Sequence, residues 1–277
     1  MTFNSKHILV PTDFSEYSKK SFTQALLIAS KTDAKVTLLH CIEPPYDFAS
    51  TVESTLEQIK RGSKRRLDEM YKQAMKDERF SSVQIDTVLI TGMAKASIME
   101  IVQTRHVDLI VMGSMGVSGL RKKLFGSTST DVALRSEVPV LIVPETQTDK
   151  GFDQILFATD YRENDLESLG FVSGLAGLFD STIHVVHIAD DDNFQTDLSF
   201  RGFRDLVKEQ IQYDPLNFDQ YYEKSPFRGL SRYIENNKIE MLVITKYKKT
   251  VLKSLFDKNH TKEMSQYSAL PVFVIPG

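Results

Sequence analysis

Apolar runs alternate along the chain with amphipathic segments, and this order predicts strands alternating with helices. Segments with apolar residues at helical spacing begin near Ser15, near Thr51 and after Gly92. The apolar runs between them are residues 8–13, 35–42, 83–90, 108–112 and 138–144. Because helices that connect parallel strands make right-handed crossovers, the order predicts a parallel sheet covered by helices on both faces.

The second half of the chain repeats this order. Residues 155–160 match residues 8–13 at an offset of 147, and residues 270–276 match residues 138–144 at an offset of 132. The second copy is therefore 15 residues shorter (147 minus 132), and we assign the loss mainly to its long middle helix. A tandem duplication follows, with domains at residues 1–147 and 148–277.

A glycine-containing stretch follows the apolar run at 108–112. Gly113 and Gly116 lack a Cβ, so they can take positive φ and let the backbone turn tightly and come close to a ligand. Gly126-Ser127-Thr128 opens a predicted helix, and the N–H groups of a helix N-terminus attract anions. Since ligands sit at the carboxyl ends of strands in open α/β sheets, the stretch predicts a phosphate cradle. On the pattern alone, a plain loop followed by a capped helix is the alternative.

The spacing Gly113-x2-Gly116-x9-Gly126-Ser127, followed by the apolar run 138–144, resembles the nucleotide-binding signature of the universal stress protein family. Neither a P-loop nor a Gly-x-Gly-x-x-Gly fingerprint is present in the sequence. The resemblance implies an α/β fold of two tandem Rossmann-like (adenine nucleotide alpha hydrolase-like) domains. Each would contain a five-stranded parallel sheet between helices. It also implies ATP as the ligand, and any Mg²⁺ would arrive with the phosphates.

The resemblance also implies a set of nucleotide-binding residues in the first domain. Asp13 would contact adenine and ribose, Cys41 would lie against the base, and Gly92 would stand near it. Asp13 could instead cap the following helix, the two roles being compatible, and Gly92 could be a simple turn. The full set is Pro11, Thr12, Asp13, Cys41, Gly92, Gly113, Gly116, Gly126, Ser127 and Thr128.

The second domain departs from this motif. Side chains with a Cβ would obstruct the close approach of backbone to phosphate, so we expect the fold to persist there without the cradle. The replacements are Thr245 for Gly113, Lys248 for Gly116, Lys258 for Gly126, Asn259 for Ser127 and Lys224 for Gly92.

Composition narrows the class of protein. Apolar residues make up 41% and charged residues 26% of the chain, as in soluble globular proteins, and the net charge of -3 gives no footprint for nucleic acid or an anionic membrane. The single cysteine excludes an intramolecular disulfide and fits a reducing compartment. The sequence shows no hydrophobic leader and no apolar run near the ~20 residues of a membrane span, so we expect a cytoplasmic protein. No cluster has metal-ligand spacing.

These observations favour a cytoplasmic universal stress protein that binds ATP in its first domain and acts as a nucleotide-responsive stress accessory or sensor. A slow ATP hydrolase and a ligand-free interaction protein are the alternatives. No general base or activated nucleophile is recognisable, so no catalytic residue is assigned. The very apolar last strands, 138–143 and 270–275, predict mutual antiparallel pairing within the chain. Dimerisation of the whole chain is left open.

Overall fold

The computed structural model describes residues 3, 5–43, 52–116, 125–247, 255 and 269–277. Contacts divide the chain into two compact units, Ser5–Lys150 and Gly151–Gly277 with Met1–Asn4, called here the first and second repeats. A search of the described helices finds none with the length and apolarity that a membrane crossing requires.

The first repeat is a parallel sheet with the strand order β3-β2-β1-β4-β5. A short 3₁₀ helix, Glu78–Phe80, precedes β3. The other elements are β1 (His7–Pro11), α1 (Glu16–Thr32), β2 (Lys35–Ile42), α2 (Val52–Ala74), β3 (Ile85–Thr91), α3 (Ala94–Thr104), β4 (Leu109–Gly113), α4 (Ser127–Arg135) and β5 (Val140–Val143).

Local sequence explains these elements. The central strands β1, β4 and β5 are continuous apolar runs because helices cover both of their faces, and Leu9, Val111 and Leu141 are fully buried. Ser15 is the N-cap of α1, where its hydroxyl accepts the Ser18 N–H, and Asp33 ends the helix in the left-handed conformation. The predicted helix start near Ser15 is therefore confirmed.

The second repeat has the equivalent strand order, β8-β7-β6-β9-β10, again with parallel neighbours. Each repeat is thus a five-stranded α/β unit, and the predicted fold class is confirmed. The predicted pairing between the two last strands stays a prediction. The elements are β6 (Gln154–Ala158), α5 (Glu163–Gly177), β7 (Thr182–Ala189), α6 (Phe194–Gln210), β8 (Leu216–Tyr222), α7 (Pro226–Asn237), β9 (Met241–Thr245) and β10 (Val272–Ile275).

Backbone torsions mark the duplication independently of sequence. The described residues other than glycine that adopt positive φ form three pairs, separated by the same offsets of 147 and 132 that relate the apolar runs. The turns after the first strand, the first helix and the third helix therefore have the same geometry in both repeats. The pairs are Phe14 (φ 67°) with Tyr161 (58°), Asp33 (55°) with Asp180 (55°), and His106 (51°) with Lys238 (52°).

Two details of the predicted alignment are wrong. The middle helix has 23 residues in α2 and 17 in α6, so it accounts for only part of the 15-residue loss, because the connections on either side are shorter too. The equivalent of Gly92 is Glu223 rather than Lys224. The Gly92 N–H donates to Ile42 O and the Glu223 N–H to Ala189 O, both at 2.9 Å, and these bonds fix the register.

Candidate functional site

A crevice is expected where β1 and β4 lie side by side in the first repeat. The chain leaves β1 towards β2 on one side, and it returns from β3 to β4 on the other, so the connections that follow these two strands diverge. Ligands of open α/β sheets bind at such a switch point, outside the carboxyl ends of the strands. Asp13 follows β1, and Gly113 is the last residue of β4.

Asp13 meets the glycine loop directly. Its Oδ1 accepts the Ser15 N–H (3.0 Å) and the Ser15 hydroxyl (2.6 Å), and it thereby braces the N-cap of α1. A Cβ built on Gly116 would lie only 2.5 Å from Asp13 Oδ2. The absence of a side chain at Gly116 therefore makes room for the carboxylate. Asp13 thus both supports the helix cap and lies close to the glycine loop.

Gly113 has a packing role. A Cβ there would lie 2.8 Å from the Cβ of Tyr17 and 2.9 Å from its carbonyl carbon, so glycine lets α1 pack closely on the end of β4. Neither Gly113 nor Gly116 uses the positive φ that the missing Cβ allows, since no described glycine has a positive φ. Both glycines serve close approach between parts of the chain rather than a left-handed turn.

The N-terminus of α4 lies against the loop after β4. Gly126 is its N-cap in an extended conformation, and no side chain of the described residues caps the helix. The Gly126 N–H (2.7 Å) and the Ser129 hydroxyl (2.9 Å) both donate to Ser114 O, which ties the helix start to the loop after β4. Exposed Ser127 and half-buried Thr128 begin the helix, where N–H groups and the helix dipole favour an anion.

Cys41 and Gly92 lie together at the ends of β2 and β3. The Cys41 thiol is hydrogen-bonded to the Ser97 hydroxyl, and a Cβ on Gly92 would lie 3.1 Å from that same oxygen. Ser97, which the sequence alone did not single out, connects the two predicted base-site residues. Burial raises the pKa of the Cys41 thiol to about 11, so the group is a neutral thiol at physiological pH.

Pro11 and Thr12 complete the turn after β1. Half-buried Pro11 ends the strand, whereas the buried Thr12 hydroxyl donates to Ser18 Oγ (2.9 Å) and accepts the Phe14 N–H (3.0 Å). His40 Nδ1 lies 2.7 Å from Thr12 O, and burial lowers its pKa, which favours the neutral ring. These groups hold the turn that presents Asp13.

A buried carboxylate distinguishes the corresponding turn of the second repeat. Asp165 stands at the position of Ser18 and is fully buried. Its Oδ2 accepts the Thr159 hydroxyl (2.8 Å) and the N–H groups of Asp160 (2.9 Å) and Arg162 (3.2 Å), while the Tyr247 hydroxyl donates to Oδ1. The chain therefore supplies its own anion to the N–H groups of this turn.

The second repeat differs at the end of β9 as well. Thr245, at the position of Gly113, is fully buried, and its hydroxyl has no hydrogen-bond partner among the described residues. Lys248, Lys258 and Asn259, predicted to replace the remaining cradle residues, lie outside the described residues. A search of the described residues for groups of His, Cys, Asp and Glu able to hold a metal finds none.

The shifted pKa of Cys41 predicts a slow reaction with iodoacetamide. In the folded chain we expect the alkylation rate to rise about tenfold per pH unit above pH 8 and to level off near pH 11, because only the thiolate reacts. The measurement is labelling at Cys41 followed by mass spectrometry. The control is the same chain in urea, where the rate should level off near the ordinary thiol pKa of about 8.5. A folded chain that titrates near that value would contradict the prediction.

The fold and these contacts together define a class of protein: an open parallel α/β sheet in which the loop after β4, at the switch point, contacts both a carboxylate and the N-terminus of a helix. The universal stress protein family model matches residues 4–144, and the chain belongs to this family. This chain is 31% identical over 138 residues to a universal stress protein of Methanocaldococcus jannaschii. The aligned region covers 50% of this chain and 81% of that protein.

Solved structures of the family show the same fold over both repeats. The crystal structure of a universal stress protein from Archaeoglobus fulgidus has a TM-score of 0.68 at 20% identity and covers 99% of this chain and 97% of that chain. A putative universal stress protein from Pseudomonas aeruginosa has a TM-score of 0.62 at 19% identity and covers 98% of this chain and 93% of that one. The fold is therefore shared with these two structures over nearly the whole of this chain.

Proposed function

We propose that the first repeat binds one ATP in the crevice between β1 and β4, and that the protein acts as a nucleotide-responsive accessory or sensor protein in the cytoplasm. The observation that carries this proposal is that the loop after β4 contacts both Asp13, through Gly116, and the N-terminus of α4, through Ser114. A carboxylate that can accept hydroxyl groups and a helix start that attracts anions are thus joined to one loop, and a nucleotide combines those two chemistries.

Each side of the crevice has a role towards the ligand. Asp13 would accept the ribose hydroxyls, as acidic residues do in other nucleotide folds. The backbone from Gly113 to Gly116 and the start of α4 at Gly126, Ser127 and Thr128 would donate to the phosphates. Cys41 and Gly92 would border the base. Mg²⁺ bound to the phosphates would neutralise part of their charge.

Features of the second repeat support a stoichiometry of one ATP per chain. The N–H groups that could face a ligand after β6 are already bonded to Asp165, whose position corresponds to an uncharged serine in the first repeat. A carboxylate at that point would repel a triphosphate. ATP binding is therefore proposed for the first repeat alone.

Calorimetric titration of the intact chain with Mg²⁺-ATP tests this proposal. We expect one site per chain. Ser127→Ala and Thr128→Ala should each weaken binding by about ten- to a hundredfold, the equivalent of roughly 1.5 to 3 kcal/mol for a hydrogen bond to a charged group.

Lys248→Gly is the control, because it restores a glycine in the repeat that is proposed not to bind, and the titration should not change. A stoichiometry of two would contradict the assignment to one repeat. The two alternative functions predict different results. A slow ATP hydrolase would release ADP above the background of a non-binding variant. A ligand-free interaction protein would show no heat of binding.

A further inference from the structure

Helix α6 of the second repeat carries an exposed apolar ridge. Phe194 is 82% exposed, Leu198 53% and Leu206 44%. These residues and Gly202 follow one another at intervals of four, which places them along one side of the helix; we call this set the α6 ridge. Phe203 and Val207, which are buried, anchor the opposite side of α6 in the core. The packing of α6 on the core therefore does not use the apolar side chains of the ridge.

Gly202 lies in the middle of the ridge. A Cβ built on it would meet nothing within 4 Å among the described residues, so no contact with that part of the chain requires glycine at this position. Glycine inside a helix costs roughly 0.5 to 1 kcal/mol relative to alanine. A small residue between Leu198 and Leu206 does, however, let a second helix approach closely at that point.

The charges beside the ridge indicate which helix would fit. Asp197, Arg201 and Asp205 follow one another at intervals of four beside the ridge, and Lys208, three residues further on, lies on the same flank. An antiparallel pair of two α6 helices brings this flank against the same flank of the other copy, where Asp197 lies near Lys208 and Arg201 near Asp205. Asp197 also accepts a bond from Gln220, and Asp205 from Arg204, and carboxylates have further acceptor sites.

We infer that the α6 ridge is a self-association surface, on which a second copy of this chain docks through its own α6 in antiparallel orientation. Gly202 of one copy lies opposite Gly202 of the other, next to the twofold axis, and every contact occurs twice, as in any isologous interface. Three apolar side chains per copy cover less than the ~800 Å² per partner of a standard interface, so the association is weak and depends on concentration.

Cysteine trapping tests the proposed register. In a Cys41→Ser background, Gly202→Cys places two thiols across the axis, within reach of the 4.4–6.8 Å that a disulfide allows between Cα atoms. Gly62→Cys is the matched control, since a Cβ at Gly62 on α2 also meets nothing within 4 Å. Under mild oxidation of the full chain, we expect disulfide-linked dimers from Gly202→Cys to form about ten times faster or more. Equal rates for the two variants would overturn the inference.

Sedimentation of the full chain over a range of concentrations tests whether a second copy of the chain is the partner. Lys208→Asp should weaken self-association by about three- to tenfold, and Asp197→Lys combined with Lys208→Asp should restore it, because each copy again presents opposite charges. Leu198→Glu should abolish it. If the double variant associates no better than Lys208→Asp, or if the unmodified chain stays monomeric, self-docking is wrong and the ridge would need a different partner.

Discussion

Replacing Asp165 by alanine is expected to lower the free energy of unfolding by about 2 to 4 kcal/mol, somewhat more than the roughly 1.5 to 3 kcal/mol of a single hydrogen bond to a charged group. The carboxylate is fully buried and accepts bonds from two hydroxyls and two backbone N–H groups. Without it the buried Thr159 hydroxyl loses its acceptor and contributes its desolvation penalty, and the part-buried donors of Asp160, Arg162 and Tyr247 each lose a bond to a charged group. Urea denaturation followed by circular dichroism measures the effect.

The first repeat offers the matched control for this variant. Ser18 stands at the equivalent position, and its hydroxyl donates to Ser15 O (2.9 Å) and accepts from Thr12 (2.9 Å). Ser18→Ala should cost only about 1 kcal/mol, because one neutral group is removed. Equal destabilisation by Asp165→Ala and Ser18→Ala would show that the carboxylate is not the organising group of its turn.

The largest expected effect on binding comes from Gly116→Val. The new Cβ would start 2.5 Å from Asp13 Oδ2, so the carboxylate must leave the place proposed for the ribose, and the two methyl groups would crowd the phosphate side. We expect the affinity for ATP to fall by a factor of about a hundred or more, equivalent to at least ~2.7 kcal/mol. Calorimetry on the full chain measures it.

Folding must be separated from binding in that experiment. Gly62→Val makes the same chemical change in open space on α2, and it should leave the affinity for ATP unaltered. Thermal unfolding of both variants without nucleotide checks that the fold is retained. If Gly116→Val binds ATP as the unmodified chain does, the crevice between β1 and β4 is not the nucleotide site.

Local patterns in the sequence were sufficient for the fold. β2 has the predicted bounds of residues 35 to 42, and α1 begins directly after the predicted cap at Ser15, because apolar runs and caps act over a few residues. The duplication was equally visible, since the repeated strands are the buried centre of each sheet.

Details that depend on distant contacts could not be predicted in this way. Gly113 looks like a turn residue in sequence, but it is required by Tyr17, which lies 96 residues earlier (113 minus 17). The left-handed positions after β1 and β6 are Phe14 and Tyr161, aromatic residues that no turn pattern singles out. Asp165 was not singled out from the sequence, and its carboxylate accepts a bond from Tyr247, 82 residues later in the chain.

The carboxylate of Asp165 also makes the two repeats respond differently to their surroundings. A ligand that binds only the folded form adds RT ln(1 + [L]/Kd) to stability, which is about 2.7 kcal/mol at a hundred times Kd. With the proposed ATP site, the stability of the first repeat would follow the supply of nucleotide in this way. The carboxylate of the second repeat is covalently attached, so its presence does not depend on the concentration of a nucleotide. One polypeptide would then join a half whose stability follows a metabolite to a half whose stability does not.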